Sequence, residues 1–264
     1  MSERFYSATP LAAGQTALTL TGDEAHHLTN VLRAQLGEGV TVFDGSGFEW
    51  PAVIRQVAKG RVELDLAAPQ PGRSESAMSL TLAIALPKGD RQKWLIEKCV
   101  ELGVRRFVPL ITERGVAQPI DSALDRLRRQ VVEATKQCGR ARLMEIARPG
   151  TLSDLLLKNA NPDAVDSNVL LRCLAQPRDA AETETLAKHL DLRWQTANDF
   201  VQASATARLC LIGPEGGFSE QELELAHNAG CALVDLGPQT LRVETAAIAV
   251  AAACLLADTH KVEI

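Results

Sequence analysis

The sequence predicts an α/β protein in two parts, a small β-rich module over residues 1–72 and a larger parallel-sheet domain over 73–264. Three observations carry this expectation. Apolar and polar residues alternate with period two over much of residues 16–74. After residue 79 nearly unbroken apolar runs alternate with helical patterns, as in a sheet covered by helices on both faces. Between the two regimes stands "APQPGRSESA", residues 68–77, rich in proline, glycine and serine. A chain of 264 residues, 46% of them apolar, can bury the cores of two such domains.

In the first module "GVTVFDGSGFEWPAVIRQV" and "GRVELDLA" read as strands joined by glycine turns, which suggests a small β-barrel. "GDEAHHLTNVLRAQLG" reads as a short helix with Ala25, Leu28, Val31 and Leu32 on one face. In the second, "LTLAIAL" (80–86) and "RFVPLI" (106–111) are buried strands with the helix "DRQKWLIEKCVELG" between them. In "DSALDRLRRQVVEATKQCGR" the stripe Leu124, Leu127, Val131, Thr135 and Cys138 marks a helix, and Gly139 is placed to end it in a left-handed conformation. A helix near 151–159 and the strand "NVLLRCL" (168–174) follow. Residues 175–207 are irregular apart from a possible short helix in "AAETETLAKHLDL". The chain ends on "ARLCLIG", "SEQELELAHNAG", "CALVDLG" and "VETAAIAVAAACLLADTH", a last pair of strand–helix units.

Composition excludes several classes. No stretch approaches the ~18–20 uncharged apolar residues that span a bilayer, and no apolar run follows a basic start, so a soluble, cytoplasmic protein is expected. The six cysteines are scattered with no CxxC pair, which reads as reduced thiols, mostly buried. His26 and His27 are adjacent, their side chains diverge and no third ligand is evident, so no metal is expected. The net charge of −5 disfavours a nucleic-acid partner until its distribution is considered. Residues 79–150 hold 14 of the 28 basic residues against 8 acidic ones, a local net of +6.

Chemistry concentrates near the C-terminus. In "LIGPEGGFSEQELELA" Ser219 and Glu222 form a capping-box pattern, so "GPEGG" is the turn between a strand and a helix. Gly213, Gly216 and Gly217 leave room for a ligand to approach the backbone, and Pro214 stiffens the turn. Such turns in open α/β sheets lie at the strands' carboxyl ends, where ligands bind. The pattern is neither GxGxxG nor a Walker loop, and Glu215 would repel a phosphate, so a cationic or zwitterionic ligand fits better. A second turn, "LGPQTLRVETA", follows the next strand and would bracket the same pocket. Arg242 and Glu244 within it could pair with each other, Glu244 could cap the helix dipole, or Arg242 could be a fixed cation facing charge that develops on a substrate. The alanines from Ala246 to Ala253 allow close helix packing, inside the subunit or against a second copy.

The two motifs, in this order, resemble the C-terminal motifs of the SPOUT-class RNA methyltransferases, and more narrowly the RsmE family. "HHLTNVLRAQLGEGVTVFDGSG", "KGDRQKWLIEKCVELGV" and "KQCGRARLMEI" extend the resemblance over most of the chain. The family methylates N3 of a uridine in 16S ribosomal RNA of the small subunit with S-adenosylmethionine. The resemblance implies a SPOUT-type parallel sheet with a C-terminal trefoil knot, preceded by a small PUA-like β-barrel domain, in a homodimer.

Carried onto this sequence, the cofactor would lie among Leu171, the turn of Ile212, Gly213, Pro214, Glu215, Gly216 and Gly217, and the turn of Leu236, Gly237 and Leu241, with Thr245 beyond it. Arg242 would steady the charge on the uracil, and Glu244 would accept a proton or orient Arg242. RNA contacts would come from Arg4 and Arg33 in the small domain and from Lys88, Arg91, Lys93, Arg140 and Arg142 in the basic quarter. Two features depart from the family's pattern: residues 175–207 form a long tract, and "CLAQP" stands where the family often has histidine-proline. The alternative is an RNA-binding ribosome-assembly factor on the same fold without methyl transfer. A nicotinamide oxidoreductase is disfavoured because the turn after the first α/β strand, "PKGDRQ", lacks GxGxxG.

Overall fold

A computed structural model of the chain describes residues 3–72, 78–157, 171–175, 194–196 and 207–256. The expected short helix in 180–192 lies outside them, and within the tract read as irregular Trp194–Thr196 form a strand. The chain divides into two compact units, residues 1–75 with 132–143, and residues 76–131 with 144–264. The sequence reading placed the boundary at 72 and gave the small unit a single stretch of chain. Its second stretch, 132–143, holds the end of a helix that begins in the larger unit.

The small unit is built on strands β1 (Arg4–Tyr6), β2 (Ala17–Thr21), β3 (Gly39–Phe43), β4 (Phe48–Ala58), β5 (Arg61–Leu66) and β6 (Gln70–Pro71). Their order is β1-β3-β4-β5-β2, with β6 beside β4, and every pair but β1–β3 is antiparallel. Among the described residues this path stays open, where the alternation suggested a barrel; period-two patterning fixes faces and cannot fix closure. Phe5, Leu28, Val42, Trp50, Ile54 and Leu64 fill the core.

Helix α1 (Gly22–His26) runs into a π-helical turn, His27–Val31. There Leu32 N bonds to His27 O, five residues back. The wider turn breaks the expected 3.6-residue spacing, so Ala25 and Leu28 are buried while Val31 is 59% exposed.

The large unit holds strands β7 (Ser79–Ala85), β8 (Arg106–Ile111), β9 (Glu145–Ile146), β10 (Gly150–Thr151), β11 (Leu171–Ala175), β12 (Trp194–Thr196), β13 (Ala207–Ile212) and β14 (Ala232–Asp235). They form one sheet, β10-β8-β7-β13-β11-β14-β12, with β9 against β8, and every pairing is parallel. Helices α2 (Arg91–Leu102), α3 (Asp121–Cys138), α4 (Leu152–Leu157), α5 (Glu220–Asn228) and α6 (Val243–Leu256) follow strands in the expected alternation. Gly103 ends α2 at φ 96°, and Gly139, just past α3, takes φ 78° as its position predicted.

Because neighbouring side chains on a strand point to opposite faces, the two covering layers draw on alternate residues. Ala83, Leu209 and Leu211 pack with Leu156 of α4 and with Leu223 and Ala226 of α5. On α6, Ala246, Ala247, Val250, Ala251 and Leu255 are buried, and the helix packs on α2, β7 and β13.

Replacing fully buried Leu211 with alanine should cost about 2–5 kcal/mol of stability. Ile111→Ala, at a side chain 39% exposed, should stay within about 0.5 kcal/mol. Urea unfolding of both variants measures the contrast.

Candidate active site

A parallel sheet brings the carboxyl ends of all its strands to one edge. Ile212 of β13 and Val234 of β14 both register with Ala175 of β11, so these three strands end in one row. The two glycine turns therefore flank β11; they do not follow neighbouring strands, as their sequence spacing suggested. On the other side of β13 lie β7 and then β8, whose following turns join the same edge.

The turn after β13 is tight. Ile212, Gly213 and Pro214 are buried, and Pro214 O accepts from Gly217 N at 2.9 Å. Of its three glycines only Gly217 takes a left-handed φ, 69°. Gly213 is needed for space: a Cβ there would lie 2.8 Å from the Phe218 ring. The capping box is complete, with Glu222 N donating to Ser219 Oγ at 3.4 Å and Ser219 N donating to Glu222 Oε2 at 2.8 Å.

Two further bonds tie this turn to the loop after β8. Glu113 N donates to Glu222 Oε1 at 3.0 Å, and Arg114 Nη1 donates to the Gly216 carbonyl at 3.0 Å. Sequence reasoning missed this loop, because contacts more than a hundred residues apart leave no local spacing to read.

In the turn after β14, Gly237 sits at φ 109°, and its N–H donates to Asp235 Oδ1 at 2.9 Å. Nothing lies within 4 Å of where its Cβ would be, which leaves room beside the backbone. Leu236 and Leu241 are half-buried, while Arg242 and Thr245 are exposed. Glu244 is 7% exposed in the first turn of α6, where the helix dipole favours a carboxylate. Its ion-pair partner is Arg91, whose Nη1 lies 3.5 Å from Glu244 Oε1 and 3.6 Å from Glu215 Oε1. Among the described residues no ion pair is made by Arg242.

The other expected residues divide by environment. Lys88 is exposed before α2 and Lys93 in its first turn, and Arg33 is exposed in the small unit with φ 54°, an uncommon conformation for a non-glycine residue. Arg4 and Arg140 do not fit an RNA-contacting role. Arg4 pairs with Glu49 at 2.9 Å, lies over the Phe43 ring and donates to Arg140 O, and Arg140 is only 2% exposed. Both are engaged within the small unit. Arg142 is half-buried with its guanidinium against Gly47, where a Cβ would lie 2.6 Å from Nη2. Leu171 opens β11 and registers with Arg208, whereas Ala175 at the other end of the strand registers with Ile212, so Leu171 lies about 13 Å from the edge that carries the two turns and does not join them as expected.

The edge suits a ligand that needs backbone contact and carries positive charge. The two glycine turns supply amides and carbonyls, the one at Gly237 with open space beside it, and the carboxylates of Glu215 and Glu244 both reach this edge, where they share Arg91. These residues fit the sulfonium and amino groups of S-adenosylmethionine. No group of three metal-ligating side chains occurs among the described residues, and no described helix is long and apolar enough to cross a membrane. Five of the six cysteines are buried; burial pushes the Cys99 thiol up, and that of Cys231 to about 11, so neither is a ready nucleophile.

Comparison with known proteins is consistent with this geometry. The profile of an RNA methyltransferase domain matches residues 74–255, and that of an RNA methyltransferase PUA domain matches 20–67. A ribosomal RNA small subunit methyltransferase E from Synechocystis sp. is 34% identical over 88% of this chain and 70% of its own. One of the same name from Rickettsia conorii is 29% identical over 99% and 98%. The crystal structure of a ribosomal RNA small subunit methyltransferase E from Neisseria gonorrhoeae, bound to S-adenosyl methionine, superposes with a TM-score of 0.79. It shares 30% identity and covers 96% of each chain.

Ser219→Ala, which removes one half of the capping box, should cost about 1 kcal/mol of stability. Glu222→Ala should cost more, because its carboxylate accepts from both Ser219 and Glu113. Thermal unfolding of the two variants orders them.

Proposed function

The chain belongs to the ribosomal RNA small subunit methyltransferase E family, and from that premise we propose that it methylates N3 of a specific uridine in 16S ribosomal RNA. The observation that carries the reading is the meeting of the two glycine turns with Arg242 and Glu244 at one sheet edge. S-adenosylmethionine supplies the methyl group, already activated on a cationic sulfonium. Everything else falls to the chain's own residues.

Backbone groups of Ile212, Gly213, Pro214, Gly216 and Gly217, with those of Leu236, Gly237 and Leu241, would hold the cofactor, and Thr245 would close its surroundings. Glu215 meets its positive charge. Much of the acceleration comes from alignment, since nucleophile and methyl carbon must be held in line at about 3–3.5 Å. Uracil N3 carries a proton at neutral pH, and as that proton passes to solvent water, negative charge spreads onto the flanking carbonyl oxygens. Arg242, exposed at the turn and in no ion pair among the described residues, is the cation this reading assigns to that charge. Glu244 is buried and paired with Arg91, which suits shaping the turn better than accepting the proton.

Exposed Lys88, Lys93 and Arg33 are the phosphate contacts of this reading, which position the RNA without reading its sequence. The target base is presented unstacked by the folded RNA. From Ala246 onward helix α6 is apolar around its whole circumference, and Ala249 and Leu256 remain exposed on it. A helix of that composition calls for burial on a second side, which a second copy of the chain in a homodimer would supply. The return of the chain from β14 to α6 beside β7, across β11 and β13, is taken as the last crossing of the trefoil knot. The work is done in the cytoplasm, where small subunits are assembled.

Arg242→Ala should lower methyl transfer to 16S ribosomal RNA by roughly a hundredfold or more while the protein stays folded. Mass mapping of methylated nucleosides in 16S ribosomal RNA, from cells with and without the gene, tests the activity itself. An unchanged methyluridine content would remove the proposal.

A further inference from the structure

Arg91 belongs to the basic quarter that the sequence assigns to RNA, yet its surroundings point elsewhere. It opens α2, in the first helical turn, where the dipole disfavours a cation. What offsets this is a pair of acids. The same Nη1 lies within 3.6 Å of both Glu215 and Glu244, so the two carboxylates face one another across a single nitrogen.

The fold explains the convergence. β7 pairs with β13, which puts the turn leading into α2 beside the turn that carries Glu215. Helix α6, which carries Glu244, packs on α2. The turn before α2 is itself braced: Gly89 takes φ 67°, and Gln92 Nε2 donates to Pro87 O at 2.8 Å. The arginine is thus fixed from behind and meets one acid from each turn that the cofactor is to touch.

We propose that Arg91 is a positioning residue for the cofactor, an ionic clamp that sets the Ile212–Gly217 turn against the start of α6. This deepens the methyltransferase reading and rests on it. Without the guanidinium the two carboxylates repel each other, and one of them, Glu244, is left buried without its partner. The two turns then separate, and the ligand between them loses its alignment. The unequal exposure of the two acids gives them different tasks. Glu244, its side chain 9% exposed, anchors the clamp, while Glu215, 44% exposed, is the arm that the turn moves with.

The test measures S-adenosylmethionine affinity by calorimetry, and separately the affinity for a 16S ribosomal RNA transcript as a function of salt. It compares the wild-type protein with Arg91→Met, Arg91→Lys, Glu215→Gln and the double variant Arg91→Met/Glu215→Gln. Arg91→Met should weaken cofactor binding roughly tenfold, Arg91→Lys should recover part of the loss, and the double variant should lose less than the two single losses combined. KM for RNA and the salt slope should stay at their wild-type values. Unchanged cofactor affinity, with RNA binding weakened and its salt slope shallower by about one, would make Arg91 a phosphate contact and overturn the clamp. If Arg91→Met fails to fold, the Arg91→Lys and Glu215→Gln titrations decide: wild-type cofactor affinity in both overturns the proposal. A wild-type protein that takes up no S-adenosylmethionine would instead remove the methyltransferase reading, and the clamp with it.

Discussion

A wholly parallel sheet leaves its chain little choice about where chemistry can be placed. Each strand must be followed by a crossover, each crossover starts at the same edge, and turns distant in sequence become neighbours there. In this protein five strands, β8, β7, β13, β11 and β14, lie side by side and run in the same direction. The loop with Glu113 and Arg114, the turn before Arg91, the Ile212–Gly217 turn and the Leu236–Leu241 turn share one edge for that reason alone. The ion pairs and hydrogen bonds among them are consequences of strand order.

Charge at that edge is arranged with economy. Glu222 serves its own helix as a cap and reaches the loop after β8 with its other oxygen. Glu244 uses the α6 dipole and Arg91 together, which is how a carboxylate 7% exposed stays tolerable. The alanine-rich helix behind it contributes closeness: Ala246, Ala247 and Ala251 are buried, so α6 lies near α2 and β7 and brings Glu244 within reach of Arg91. In the small unit Arg4, Arg140 and Arg142 serve the fold, while Arg33 stays exposed. Arg4 donates to the Arg140 carbonyl and Arg142 fills the space over Gly47. A count of positive charges along the chain therefore overstates the basic surface offered to RNA.

Local rules were legible in the sequence wherever a residue answers to its near neighbours. The Ser219–Glu222 capping box, the left-handed Gly139, the apolar strands β7, β8, β11, β13 and β14 and the alternation of β3, β4 and β5 all depend on spacings of a few residues. Two local readings failed for local reasons as well. The π-helical turn moved Val31 off the buried face, and period-two alternation said nothing of whether the small sheet closes. The partners of Glu244, Glu222 and Gly216 could not be read, since they stand 153, 109 and 102 residues away.

By itself, then, the sequence determined the longer elements, the two glycine turns and the ligand's chemistry, because glycine conformation, capping and the sign of a charge are properties of short segments. The tertiary structure alone decided which arginine meets Glu244, that β11 lies between the two glycine turns, and which basic residues remain exposed. Those follow from strand order and helix packing, which bring together side chains that no local spacing connects.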